Sequence, residues 1–183
     1  MAQRRWKLCA AAASLVAALL SGCNADDISD DEVPLAKGES LGELRQQAGQ
    51  ALDRYDKAAV AAGPSASVEV SPPPWDADSP PPGLSIEAAR GAPAGTQLSV
   101  TFTGAGGPAT EPCGADYHAE AVESARAVVV IVIAQPHAAN EMCTLEGYKR
   151  TAKVNLARPL GRRVVLEVRE GQPVPVERAL ITE

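Results

Sequence analysis

Two hydrophobic periods divide the chain. Between Ser40 and Gly63 apolar residues recur at spacings of three and four, which is typical of one face of an α-helix; they are Leu41, Leu44, Ala48, Leu52, Tyr55 and Ala59. Ser40 and Glu43 form a capping box, and Gly63-Pro64 is a stop signal. We therefore expect an amphipathic helix over 40–63. It either lies on the body of the protein or forms a short dimeric coiled coil. The first is favoured because the stripe is short and rich in alanine.

From Leu84 onward the period becomes two, which is the period of a half-buried β-strand. Short alternating segments are separated by turn signals such as Gly104 to Pro108. The run from Ala127 to Ala134 is almost purely β-branched, so we expect a central strand covered on both faces. About seven such strands predict a mainly β fold, a small immunoglobulin-like β-sandwich over 84–183. The helix is expected to cover the outer face of the central strand.

The segment between the helix and the strands, 64–83, contains Ser-Pro-Pro-Pro twice, at 71–74 and 79–82. Proline triplets impose an extended polyproline II path and remove backbone donors that a sheet needs. This composition predicts a semi-rigid proline-rich linker.

The first residues have the form of an export signal. An uncharged run from Leu8 to Leu20 follows Arg4, Arg5 and Lys7, and it is shorter than the roughly 20 residues of a membrane-spanning helix. The run ends in Leu20-Ser21-Gly22-Cys23. This tetrapeptide resembles the lipobox of bacterial lipoproteins. An ordinary signal peptide, cut after Ala25, is the alternative. Arg4-Arg5 leaves both the general and the twin-arginine export routes open.

The lipobox resemblance implies that 1–22 is a signal peptide that is removed and that Cys23 carries the lipid. The protein would then be anchored to the cell membrane on its extracytoplasmic side, as a component of the cell envelope. The next segment, 23–39, includes Asp-Asp-Ile-Ser-Asp-Asp-Glu at 26–32 and predicts a disordered acidic tether.

Two of the four cysteines, Cys113 and Cys143, belong to the predicted sandwich. An even pair outside the cytoplasm predicts a disulfide. The alternative is a zinc or copper site formed by Cys113, His118, His137 and Cys143, which would make this a metal-handling protein. The spacings are loose for such a site, and we expect no cofactor.

Charge narrows the possible functions. The net charge is −6 at pH 7, and removal of 1–22 would take away three basic side chains and make the protein still more acidic. Nucleic acid is therefore not an expected partner, because binding it depends on neutralising phosphates. The basic residues Lys149, Lys153, Arg163 and Arg169 are expected to point outward from two adjacent strands. They either form a solvated face that blunts edge pairing or contact an anionic envelope polymer, lipid headgroups or an acidic protein. No catalytic motif is present, so the sequence predicts a non-catalytic binding module rather than an enzyme.

Overall fold

A computed structural model describes residues 40–63, 68, 70–74, 82–138, 142–144 and 146–178. The predicted signal peptide, lipidation site Cys23 and acidic tether lie outside these residues. Within them, no helix has the length and apolar composition needed to cross a membrane.

The predicted helix is present as α1, Leu41–Ala62. The Ser40 side chain accepts a hydrogen bond of 3.1 Å from the Glu43 N–H, which satisfies one of the free donors at the helix start. The helix ends at Gly63, whose φ of 82° is a conformation that L side chains rarely adopt. The buried positions are Leu41, Leu44, Ala48, Ala51, Leu52 and Tyr55. They include five of the six residues of the predicted stripe, all except Ala59, together with Ala51.

The remainder of the described chain is mainly β, with seven strands in two sheets. They are β1 (Ile86–Gly91), β2 (Gln97–Gly104), β3 (Ala115–Glu123), β4 (Ala127–Pro136), β5 (Tyr148–Asn155), β6 (Val164–Glu167) and β7 (Val176–Arg178). The first sheet, sheet A, has the order β5-β2-β1-β7, and the second, sheet B, has the order β3-β4-β6. Two pairs, β1 with β7 and β4 with β6, are parallel, and the others are antiparallel.

Strand β4 is the centre of the fold, as its β-branched composition predicts. It is the middle strand of sheet B, and Ala127 to Ile133 are all fully buried. Val128, Val130 and Val132 pack with Val100 and Phe102 of sheet A. The alternate residues, including Ile131, pack with the buried face of α1. The protein is therefore layered as sheet A, sheet B and helix, with β4 contributing to both cores.

Two described residues of the proline-rich segment, Val68 and Val70, lie against the body of the protein, whereas Ser71, Pro72 and Pro74 are exposed. Val68 and Val70 pack against the core under α1. The Gln172 side-chain amide donates a 2.7 Å hydrogen bond to the Val70 carbonyl. Both valines are partly buried, so this part of the segment contacts the core under α1.

Candidate functional site: an edge strand and the groove beside it

The predicted basic face does not exist as one surface. Strand β5 carries Lys149 and Lys153 in sheet A, whereas Arg163 and Arg169 flank β6 in sheet B. The prediction that these strands are adjacent is therefore wrong. The loop between β5 and β6 passes from one sheet to the other, and alternation along a strand carries no information about which sheet the strand joins.

Arg163 is also not outward-facing, because its side chain is only 7% exposed. It forms an ion pair with Glu123 and donates hydrogen bonds to the carbonyls of Arg158, Pro159 and Leu160. The second Glu123 oxygen accepts a hydrogen bond from the Ala157 N–H. This cluster attaches the loop between β5 and β6 to the end of β3, so Arg163 is a structural residue.

The ion pair perturbs the carboxyl group. Burial alone would raise the pKa of Glu123. Hydrogen bonds from Arg163 and the Ala157 N–H, together with the charges of Arg163 and Arg158, outweigh burial and hold the pKa below its usual value. Glu123 is therefore ionised in the folded protein at neutral pH.

Arg169 lies on the turn after β6, beside α1. Its carbonyl accepts a hydrogen bond from the Gln47 side chain, and its N–H donates to Glu167. The basic residues that remain on a common outward face are therefore Lys149 and Lys153, both exposed.

The outward face of sheet A is polar. Strand register places Lys149 opposite Thr103, and Lys153 opposite Ser99, which in turn faces Arg90 on β1. Arg90 is an exposed cation whose place in this row could not be predicted from the sequence, because it depends on the pairing of three strands. Glu87 accepts a 2.6 Å hydrogen bond from the Thr103 hydroxyl on the same face. The outward cations Lys149 and Lys153 lie on β5, and the row that joins Lys153 to Arg90 continues to the exposed Glu177 on β7.

Strand β5 is an edge strand, and its free main-chain groups can be assigned. The Leu156 N–H donates to the Thr96 carbonyl at 2.7 Å, which continues the antiparallel register between β5 and β2. In such a ladder alternate residues point their N–H and C=O groups away from the partner. Here these are Lys149, Thr151 and Lys153. Within the described residues, none of their N–H groups has a hydrogen-bond partner.

A groove of about 510 Å³ runs between β5 and β3, the edge strand of the other sheet. Its lining residues are Gly106, Gly107, Pro108, Ala115, Asp116, Tyr117, Ala119, Arg150, Thr151, Ala152 and Lys153. The Arg150 guanidinium donates to the Ala105 carbonyl, and the Tyr117 hydroxyl accepts from the Ala105 N–H. These bonds attach the loop after β2 to both edge strands.

The predicted disulfide between Cys113 and Cys143 is confirmed. It links the loop before β3 to the loop before β5, with both cysteines exposed. The bond uses both thiols of the alternative metal set. His118 lies 3.9 Å from a Glu120 oxygen, and His137 Nδ1 lies 2.7 Å from the Ala109 carbonyl. Among the described residues, no group of three His, Cys, Asp or Glu side chains is arranged to hold a metal ion.

No protein-family model, curated protein or solved structure matches this chain.

Proposed function

We propose that this protein is a cell-envelope lipoprotein, held by acyl chains on Cys23 at the extracytoplasmic side of the cell membrane. Its sandwich acts as a non-catalytic binding module, and strand β5 contacts an anionic envelope polymer, lipid headgroups or an acidic protein. The support for the anchor is the lipobox-like sequence Leu20 to Cys23 after a basic and then apolar segment. Two acyl chains give the stable anchoring that one chain does not.

One observation carries the binding proposal. Lys149 and Lys153 are both exposed on the same face of a free edge strand, and within the described residues neither forms an ion pair with an acidic side chain. The whole chain has a net charge of −6, so these two lysines form a local positive region on an acidic protein. Unpaired surface cations attract anions at long range, and the attraction falls as salt is added.

The anchor is tested by labelling cells with radioactive palmitate. We expect the wild-type chain to take up label and to sediment with membranes, and the Cys23→Ala variant to do neither. Equal label and equal sedimentation of the variant would refute lipidation at Cys23. A Cys9→Ala variant is the matched control, because that cysteine lies inside the predicted signal peptide.

The binding surface is tested with purified envelope. The Lys149→Glu/Lys153→Glu variant is expected to lose most of its binding at low salt, and wild-type binding should weaken as salt rises. The control is Lys57→Glu/Arg126→Glu, which makes the same charge change at exposed positions on α1 and on the β3–β4 turn. Equal binding by wild type and the β5 variant, or equal loss in the control, would remove the β5 assignment.

The immunoglobulin-like type of sandwich is part of the proposal. The neighbouring order β1-β2-β5 in sheet A supports it, since the A, B and E strands of an immunoglobulin domain are neighbours in the same order. The parallel β4–β6 pair is a departure from that pattern. An experimental structure in which β1, β2 and β5 were not neighbours would overturn this assignment.

A further inference from the structure

The free edge of β5 has the features of a strand-addition site. An extended segment can pair with an exposed edge through main-chain hydrogen bonds, while alternate side chains on the two faces supply specificity. The outward N–H groups of Thr151 and Lys153 supply donors. The groove of about 510 Å³ gives space beside the strand on its inner face.

Charge specifies the chemistry of the added strand. Lys149 and Lys153 stand four residues apart on the outer face of β5, and Arg150 faces the groove on the inner face. A segment that pairs here is favoured if it carries acidic residues four apart on its outer face, since opposite charges across paired strands attract. The inner face is not purely basic, because Asp116 also lines the groove.

The chain contains such a segment in 26–32, which lies outside the described residues. Asp27 and Asp31 are four apart, and there is no Lys or Arg from Asn24 to Ala36. In an antiparallel register with Asp27 opposite Lys153, Asp31 falls opposite Lys149. The same register sets Asp30 opposite Arg150 and Ile28 opposite Ala152, both of which line the groove.

The connection is long enough to be made within one chain. Asp31 and Ser40 are nine positions apart in the sequence, and this stretch can span up to about 30 Å. Near its start, α1 contacts β3 through the Arg45–Glu120 ion pair, so the helix begins close to the edge strand that lines the groove. The path from the start of α1 to β5 crosses about one helix diameter and one spacing between sheets, which is about 20 Å in total.

We infer that residues 26–32 add to the β5 edge of the same chain as an acidic strand, in the groove beside β3. The segment then covers the lysines assigned to envelope binding and competes with an anionic ligand for them. The inference uses the same strand as the proposed function but needs no envelope ligand.

The test is amide hydrogen exchange of the full chain in detergent micelles, measured by NMR without envelope material. We expect the exchange rates of the Thr151 and Lys153 amides to be at least about tenfold lower in the wild type than in the Asp27→Lys/Asp31→Lys variant. The Ala152 and Val154 amides, which point to β2, should not change. A control, Asp53→Lys/Glu177→Lys, makes the same charge change at exposed positions away from β5 and should behave as wild type.

Adding Lys149→Asp/Lys153→Asp to the 27/31 variant should restore slow exchange, because the same pairs re-form with reversed charge. Fast exchange of the Thr151 and Lys153 amides in the wild type would overturn the inference. Slow exchange that persists in the 27/31 variant, or that depends on protein concentration as pairing between two copies would, overturns it as well. Since no envelope is present, loss of envelope binding elsewhere leaves this result unaffected.

Discussion

Replacing Glu123 by alanine tests the reassignment of Arg163 from a surface cation to a structural residue. The substitution leaves the Arg163 guanidinium buried without its counter-charge and removes the acceptor of the Ala157 N–H. The two side chains of the pair are only 7% and 12% exposed, so water cannot replace the lost partner. Breaking such a pair costs about 3–5 kcal/mol, against a total stability of about 5–15 kcal/mol for a native protein.

The matched control is Glu120→Ala on the same strand. Glu120 also pairs with an arginine, Arg45, but the side chains of that pair are 40% and 20% exposed. Exposed pairs contribute about 0.2–1 kcal/mol. Urea unfolding at neutral pH, followed by circular dichroism, should therefore show a much larger loss for Glu123→Ala than for Glu120→Ala. Equal losses in the two variants would refute the argument from burial.

The same measurement has a predicted pH dependence. The pKa of Glu123 is lowered in the folded state. Its contribution is therefore fully present above the unfolded pKa of about 4.3 and is lost as pH falls through the folded pKa. The difference between wild type and Glu123→Ala should shrink in acid. A difference that stays constant down to the acid transition would show that the charge of Glu123 is not what stabilises the loop.

Three further changes test the packing. Phe102→Ala empties a fully buried site between the sheets and should cost about 3–5 kcal/mol in urea unfolding; a loss below 1 kcal/mol would place Phe102 outside the core. Gly114→Ala puts a Cβ against the Pro108 carbonyl and should lower the melting temperature, whereas Gly49→Ala, in open space on α1, should not. Cys143→Ser opens a disulfide with a sequence separation of 30 and should cost about 3–4 kcal/mol; unchanged unfolding would contradict this.

Residues close together in the sequence were sufficient to predict α1 and the central strand β4 of sheet B. The capping box at Ser40 and the positive φ at Gly63 are set by residues next to them in sequence, so both ends of the helix could be predicted. The run in β4 is apolar on both faces, and that property alone requires two covering layers.

Longer-range pairing could not be predicted in the same way. Arg163 faces inward because Glu123, 40 residues earlier, and the carbonyls of its own loop are in reach. Nothing in the alternation around Arg163 marks that contact. Val70 likewise packs on the body because a residue 102 positions later, Gln172, holds its carbonyl. The groove depends on two edge strands from different sheets meeting on one side, which is a property of strand order.

The edge strands of the two sheets differ in how they are covered. On one side β7 has only three residues, and β6 is covered by the chain from Gln172 to Val174 through hydrogen bonds to Glu167 and Val165. On the other side β5 and β3, of eight and nine residues, face an open groove. Lysine on an edge is a known defence against unwanted pairing, so Lys149 and Lys153 could act in that way alone.

A single comparison separates edge protection from recognition. Lys149→Thr/Lys153→Thr keeps β-propensity while removing the charge, so it should raise self-association if the lysines mainly block pairing. Lys149→Glu/Lys153→Glu keeps a charged edge and should stay monodisperse, yet it should lose envelope binding. Sedimentation velocity reports the first property and envelope binding the second. If the glutamate variant is monodisperse and binds envelope as wild type does, the lysines protect the edge and do not recognise an anion.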